Sequence, residues 1–101
     1  MSIYKVKLER KQEVAAGTMA FYFEKPKGFA FKAGQYGDLT LINPAETDAE
    51  GNIRGFSLAN APYEDFLMFA TRMRDTAFKR VLKTMEPGTE LTLDAPGGSF
   101  T

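Results

Sequence analysis

The chain has 101 residues, enough for one domain around a single core. Thirteen Lys and Arg balance thirteen Asp and Glu, which argues against a partner held by charge alone, such as bulk nucleic acid. With no cysteine and no histidine, no disulfide framework, no metal site built on the usual ligands and no Ser-His or Cys-His nucleophile is expected.

The opening MSIYKVKLERKQ is charged and alternating, without an apolar core of signal-peptide length. No run in the sequence approaches the ~20 apolar residues of a membrane helix. A soluble, cytoplasmic domain with no membrane span is the expectation. Tyr4, Val6 and Leu8 alternate with Lys5, Lys7 and Glu9, the period-two pattern of a half-buried strand. Met19, Phe21 and Phe23 repeat it between Gly17 and Pro26. Phe29 and Phe31 lead into AGQYGDLTLI, where Gly34 and Gly37 are expected to bracket a bend and Leu39 and Leu41 share a face. NPAETDAEGN, Asn43 to Asn52, is acidic with no apolar period and reads as an exposed loop. RGFSLANA forms the next strand, stopped by Pro62. DFLMFATRM is apolar on both faces and is expected to be a central, well-covered strand. In DTAFKRVLKTMEPG, Phe78, Val81, Leu82 and Met85 fall on one helical face. Asp75 or Thr76 can cap that helix, which should run from Thr76 to about Met85 and stop at Pro87-Gly88. TELTLDAP alternates again through Leu91 and Leu93.

This layout predicts an all-β fold, a six-stranded antiparallel Greek-key barrel with one capping α-helix, as one domain over residues 1–101. A barrel is favoured because closure removes exposed strand edges. The core should include Leu8, Phe21, Leu39, Leu41, Phe69, Phe78, Leu82 and Leu91.

Two clusters could carry chemistry. In RGFS, Arg54 and Phe56 share a face of the strand and Ser57 takes the other. Gly55 between them would let a ligand approach the backbone. A guanidinium suits phosphate, a phenyl ring packs on a flat heterocycle, and a hydroxyl can bond a ring nitrogen or carbonyl. The second cluster is the helix start, a natural anion site crowded by Arg72, Arg74, Lys79 and Arg80. Lys79 stands in the first turn, where the helix dipole does not favour a cation unless an anion sits nearby. Gln35 and Tyr36 could line a pocket mouth, and Gly97 and Gly98 in APGGSF allow close backbone approach.

Taken in order, AGQY, RGFSLANAP, FATRMRDTAFKRVL and PGTELTLDAPGGSF resemble the flavin-binding domain of the ferredoxin–NADP⁺ reductase family, over about Phe29 to Phe100. The family's Arg-x-Tyr-Ser/Thr pattern matches Arg54, Gly55, Phe56 and Ser57. The resemblance implies that Arg54 contacts the flavin phosphate, that Phe56 packs on the isoalloxazine and that Ser57, the one catalytic side chain expected, approaches its N5 edge. Thr71 and Arg72 fall on the strand whose backbone faces the dinucleotide. The family's Gly-x-x-Ser/Thr run, which opens the helix beneath the pyrophosphate, aligns with Thr76, Ala77, Phe78 and Lys79. Here the hydroxyl has moved to Thr76, and Lys79 can pair the pyrophosphate instead. That second anion site favours FAD rather than FMN.

The resemblance further implies an oxidoreductase that passes a hydride from NAD(P)H to FAD and electrons onward to a protein or small-molecule acceptor. Family members continue into an NAD(P)-binding domain. The chain ends at Thr101 without a G-x-G-x-x-G run, so that domain is expected to be absent and to be supplied as a partner domain or subunit. The rival expectation is a small antiparallel barrel acting as a non-redox binding module for a partner protein or oligonucleotide. An isolated flavin domain should bind flavin weakly and tend to form a homodimer through its exposed inter-domain face. It should also not oxidise NAD(P)H. Stopped-flow mixing of the FAD-loaded chain with NADH and NADPH checks this, with no flavin bleaching expected at enzymatic rates of ~1–10³ s⁻¹.

Overall fold

A computed structural model describes residues 2–98. Ser99, Phe100 and Thr101, the end of the APGGSF run, lie outside the described residues. The elements are β1 (Ser2–Ala15), β2 (Thr18–Glu24), β3 (Tyr36–Leu41), β4 (Ile53–Ser57), β5 (Phe66–Arg72), α1 (Ala77–Thr84) and β6 (Glu90–Gly97). The strands form one antiparallel sheet in the order β4-β3-β6-β1-β2-β5. The last strand in sequence returns to the middle, between β1 and β3, which is the Greek-key crossover. No helix among the described residues is long and apolar enough to cross a membrane.

The alternating residues of the sheet point into one core. All eight expected core positions are buried, none more than 3% exposed. Phe23, Leu67 and Leu93 join them, also fully buried. On α1, Phe78, Leu82 and Met85 are buried and Val81 packs beside them, as the helical spacing required. Thr76 is the cap: its side chain accepts from the Lys79 N–H at 3.3 Å.

Closure of the barrel is incomplete. The edge strands β4 and β5 meet at one bridge, Leu58 to Phe69, and at the Ala59 N–H donating to the Met68 carbonyl at 2.8 Å. The sheet is therefore rolled until its edges touch, without a ladder along the seam. Aromatic side chains fill what the backbone leaves open. Phe78 of α1 lies 5.9 Å from Phe56 on β4, and Phe56 lies 6.1 Å from Phe69 on β5, measured between ring centroids.

Three expectations need correction. DFLMFATRM is an edge strand, not a central one: in β5, Leu67 and Phe69 are buried, Phe66 and Met68 half-buried, and Ala70 exposed. Its second apolar stripe lies partly open because no layer covers the outside of the sheet. Gly37 does not turn the chain. It sits inside β3 at a ladder irregularity, and a Cβ there would come within 2.6 Å of the Leu93 side chain. The first strand also runs well past Leu8. Its first half, from Ser2 to Lys7, pairs with β6, and from Leu8 to Ala15 it pairs with β2. That second half is mostly exposed, so backbone pairing holds it with no apolar stripe to announce it.

Leu82 is 1% exposed and fastens α1 over the core. Leu82→Ala should cost ~2–5 kcal/mol in a urea unfolding experiment, against under ~0.5 kcal/mol if this helix face were not packed.

Candidate functional site

Strand β4 carries the RGFS run along an edge of the sheet. Alternation sends Arg54 and Phe56 inward and Gly55 and Ser57 outward. An edge strand lets a ligand reach both faces from its open side. Phe56 is 9% exposed and belongs to the core, in contact with Phe69 and Phe78. Its ring therefore props the helix. Gly55 leaves room for a neighbour: a Cβ there would stand 3.0 Å from Asp38 Oδ1.

Arg54 lies beneath the helix start. Its guanidinium sits 5.6 Å from the Phe78 ring. Nη1 donates to the carbonyls of Glu50 and Ile53 at 3.1 and 3.2 Å. Nη2 is 3.2 Å from Glu50 Oε1, a charge contact without hydrogen-bond alignment, and it is buried with no hydrogen-bond partner. A buried guanidinium nitrogen whose nearest carboxylate, Glu50, is out of hydrogen-bond alignment can take a better-placed anion.

The helix start brings Thr76, Ala77 and Lys79 to this end of the seam. Lys79 Nζ donates to the Arg72 carbonyl at 2.6 Å, tying the end of β5 to the first turn of α1. Burial lowers the Lys79 pKa, and Arg74 and Arg54 push it the same way. Thr71, half-buried near the end of β5, directs its hydroxyl to the Arg72 carbonyl at 3.4 Å, and the Arg72 side chain is exposed. The structure thus gathers Arg54, Thr76, Ala77 and Lys79 with the backbone of Arg72. Ser57 lies farther along β4, and Thr71 on β5.

The acidic loop, exposed as expected, does something its composition does not disclose. The Asp48 carboxylate accepts the Ala77 N–H at 2.9 Å, and its other oxygen accepts the Glu50 N–H at 2.9 Å. These two hydrogen bonds, from Ala77 and then Glu50, hold the Asp48 pKa below the usual carboxylate range despite the counter-effect of burial. Glu46 pairs with Arg80 at 2.7 Å, and that hydrogen bond lowers the Glu46 pKa.

At the other end of β4, Ser57 is paired across the ladder with Tyr36. Tyr36 is 40% exposed, and its ring lies on Gly97, where a Cβ would come within 2.5 Å of it. Gln35 ties this corner together. Its Nε2 donates to the Gly98 carbonyl at 2.9 Å, and its own carbonyl accepts the Leu58 N–H at 2.8 Å. An exposed aromatic ring on a glycine ledge beside a free hydroxyl is a better platform for a flat ligand than the buried Phe56. The glycines of APGGSF were the sequence signal for it.

No protein-family model matches the sequence, and no curated protein matches it. Solved structures match the fold. The ferredoxin NADP⁺ reductase from Neisseria gonorrhoeae, determined with bound FAD and NADP, superposes with a TM-score of 0.79 at 22% identity, covering 97% of this chain and 39% of that one. A cytochrome P450 reductase from Amycolatopsis gives 0.74 at 23% identity, over 97% of this chain and 29% of that one. A siderophore-interacting protein from Acinetobacter gives 0.76 at 14% identity, over 99% of this chain and 42% of that one. The chain therefore has the fold of one domain of these proteins and spans well under half of each.

Asp48 supplies a pH test of the loop contact. Its folded pKa lies below its unfolded value, so ionisation stabilises the fold above the unfolded pKa of ~3.9, and the gain is lost as pH falls through the folded value. Wild type should be more stable than Asp48→Asn at neutral pH, and the gap should close on acidification. Urea midpoints across that range check this; a gap independent of pH would mean that Asp48 is not the ionised cap.

Proposed function

We propose that this chain is the flavin-binding domain of an oxidoreductase. It holds FAD and works with an NAD(P)-binding domain or subunit to move electrons between a nicotinamide cofactor and an acceptor. The observation that carries the reading is Arg54: a guanidinium set between an edge strand and a helix start, with a buried Nη2 that has no hydrogen-bond partner. The fold supports it, because the matched reductase from Neisseria gonorrhoeae holds FAD and NADP. That reductase holds NADP beside its FAD, which supports work with an NAD(P)-binding domain.

The residues fit a flavin dinucleotide. Arg54, the Ala77 N–H, Thr76 and Lys79 form two adjoining anion-binding groups for a diphosphate. FMN, with one phosphate, would leave one of them without a ligand, so FAD is favoured. Gly55 keeps the outer side of β4 slim at mid-length. Thr71 and Arg72 offer a hydroxyl, a carbonyl and a cation at the end of β5. Ser57 would offer its hydroxyl to the flavin ring and is the catalytic side chain of this reading. Tyr36 offers a face on which the ring can rest. When bound, FAD supplies the electron exchange, and the protein supplies position, hydrogen bonds and exclusion of water. The chain's own contribution at Ser57 is to hold a proton donor or acceptor in place, its backbone fixed by the Tyr36 pairing and by the adjoining Leu58–Gln35 hydrogen bond.

Arg54→Ala should weaken FAD binding by ~10- to 150-fold, the cost of a charged hydrogen bond of ~1.5–3 kcal/mol. Arg10→Ala is the control, since Arg10 is exposed and its guanidinium rests on the Tyr22 ring, 3.7 Å from its centroid. Titration by flavin fluorescence quenching separates the two variants. Equal affinities would remove Arg54 from the site.

A further inference from the structure

The loop between β3 and β4 places three carboxylates, at alternate positions, on three cationic or N–H groups. Glu46 takes Arg80 at 2.7 Å, Asp48 takes the Ala77 N–H at 2.9 Å, and Glu50 stands 3.2 Å from Arg54 Nη2. Two of these three are the diphosphate groups of the proposed site. The loop is otherwise anchored near its ends. The Leu41 N–H donates to the Asn52 carbonyl, Asn52 Nδ2 donates to the Leu41 carbonyl, and the Gly51 N–H closes a turn on the Asp48 carbonyl. Residues 45–50 are all exposed. The middle of the loop is therefore held to the helix by charge and hydrogen bonds, not by buried apolar surface, and can leave without opening the core.

We propose that this segment is an acidic strap that competes with the flavin phosphates, and that Asp48 sets the margin by which FAD is preferred over FMN. The inference rests on the flavin reading above. Asp48 satisfies the Ala77 N–H, the group available to a second phosphate. FMN carries one phosphate and can engage Arg54 after displacing Glu50 alone. FAD carries two and must also displace Asp48. Ionised Asp48 thus narrows the preference for FAD that the paired anion-binding groups confer, and the closed strap keeps the crowded cations compensated. The strap opens when a diphosphate replaces its carboxylates, because phosphate oxygens can take the same donors.

The test titrates FAD and FMN separately into the full chain, as wild type, Asp48→Asn and Glu50→Gln, by fluorescence quenching at fixed salt. Asn keeps the shape of Asp48 and can still accept the Ala77 N–H through its amide oxygen, but it lacks the charge. Asp48→Asn should tighten FAD by ~10-fold and change FMN by less than ~2-fold. Glu50→Gln should tighten both flavins, because it frees Arg54 and leaves the helix cap untouched. It therefore tests the strap even if Asp48→Asn folds poorly. Flavin binding with an unchanged FAD-to-FMN ratio in Asp48→Asn, or weaker FAD binding, overturns Asp48 as the selector. Unchanged affinities in Glu50→Gln overturn competition at Arg54. If neither flavin binds wild type or either variant, the flavin reading itself falls and the strap falls with it, an outcome distinct from the other two.

Discussion

The contact between Phe78 and Phe56 sets much of the rest of the molecule. The sheet rolls far enough for β4 and β5 to touch at one bridge, and no ladder completes the seam. Phe78 enters from the helix and packs on Phe56, which packs on Phe69 across the seam. Aromatic contacts of this kind combine large buried area with geometric preference. They close the core, and they also fix the position of the first turn of α1 against β4. Arg54 is held over the Phe78 ring by the same wedge. Core packing and the proposed anion-binding groups are therefore one construction, and any change at position 56 or 78 would disturb both.

That construction concentrates positive charge. Lys79 is pressed downward in pKa by burial, by Arg74 and by Arg54, which means the cations lie close enough to repel one another. Anions in reach offset that repulsion. The loop supplies them, and Arg80 is held above its usual pKa by hydrogen bonds from its side chain to Glu46 and then Asp75. The balance of thirteen basic and thirteen acidic residues over the whole chain hides this local separation of charge.

Most of the architecture could be read from apolar spacing. The helix was legible because Phe78, Val81, Leu82 and Met85 repeat with its period, and the interior of the sheet because Leu8, Phe21, Leu39 and Leu91 alternate. Features without an apolar signal were not. The second half of β1, from Glu9 to Ala15, carries no apolar stripe and is held by its ladder to β2 and by polar side chains such as Arg10 on Tyr22. The apolar run of β5 suggested a buried centre, but Phe66 and Met68 are only half covered at the edge. Within the candidate site, the motif order pointed to Arg54, Ser57 and the helix start. Tyr36 and the APGGSF glycines were each legible as possible parts of a pocket mouth, but not their contact, which only the fold makes by laying the Tyr36 ring on Gly97. Nor were the carboxylate contacts of Asn43 to Asn52: acids in a loop carry no periodicity that names their partners, and only the fold brings Asp48 to Ala77.

The place of β6 in the sheet has a consequence for synthesis. Remove it and the order β4-β3-β6-β1-β2-β5 separates into a pair, β3 with β4, and a trio, β1 with β2 and β5. No ladder joins the two pieces. A chain released through Pro87 thus has five strands and the helix, but two pieces of sheet joined only at the Leu58–Phe69 bridge and the Ala59–Met68 hydrogen bond. Leu91 and Leu93, both fully buried in the domain, arrive only with β6. Contacts this distant in sequence also slow the search for the native pairing. Folding of this domain therefore waits on β6, the strand that joins the two pieces of its sheet.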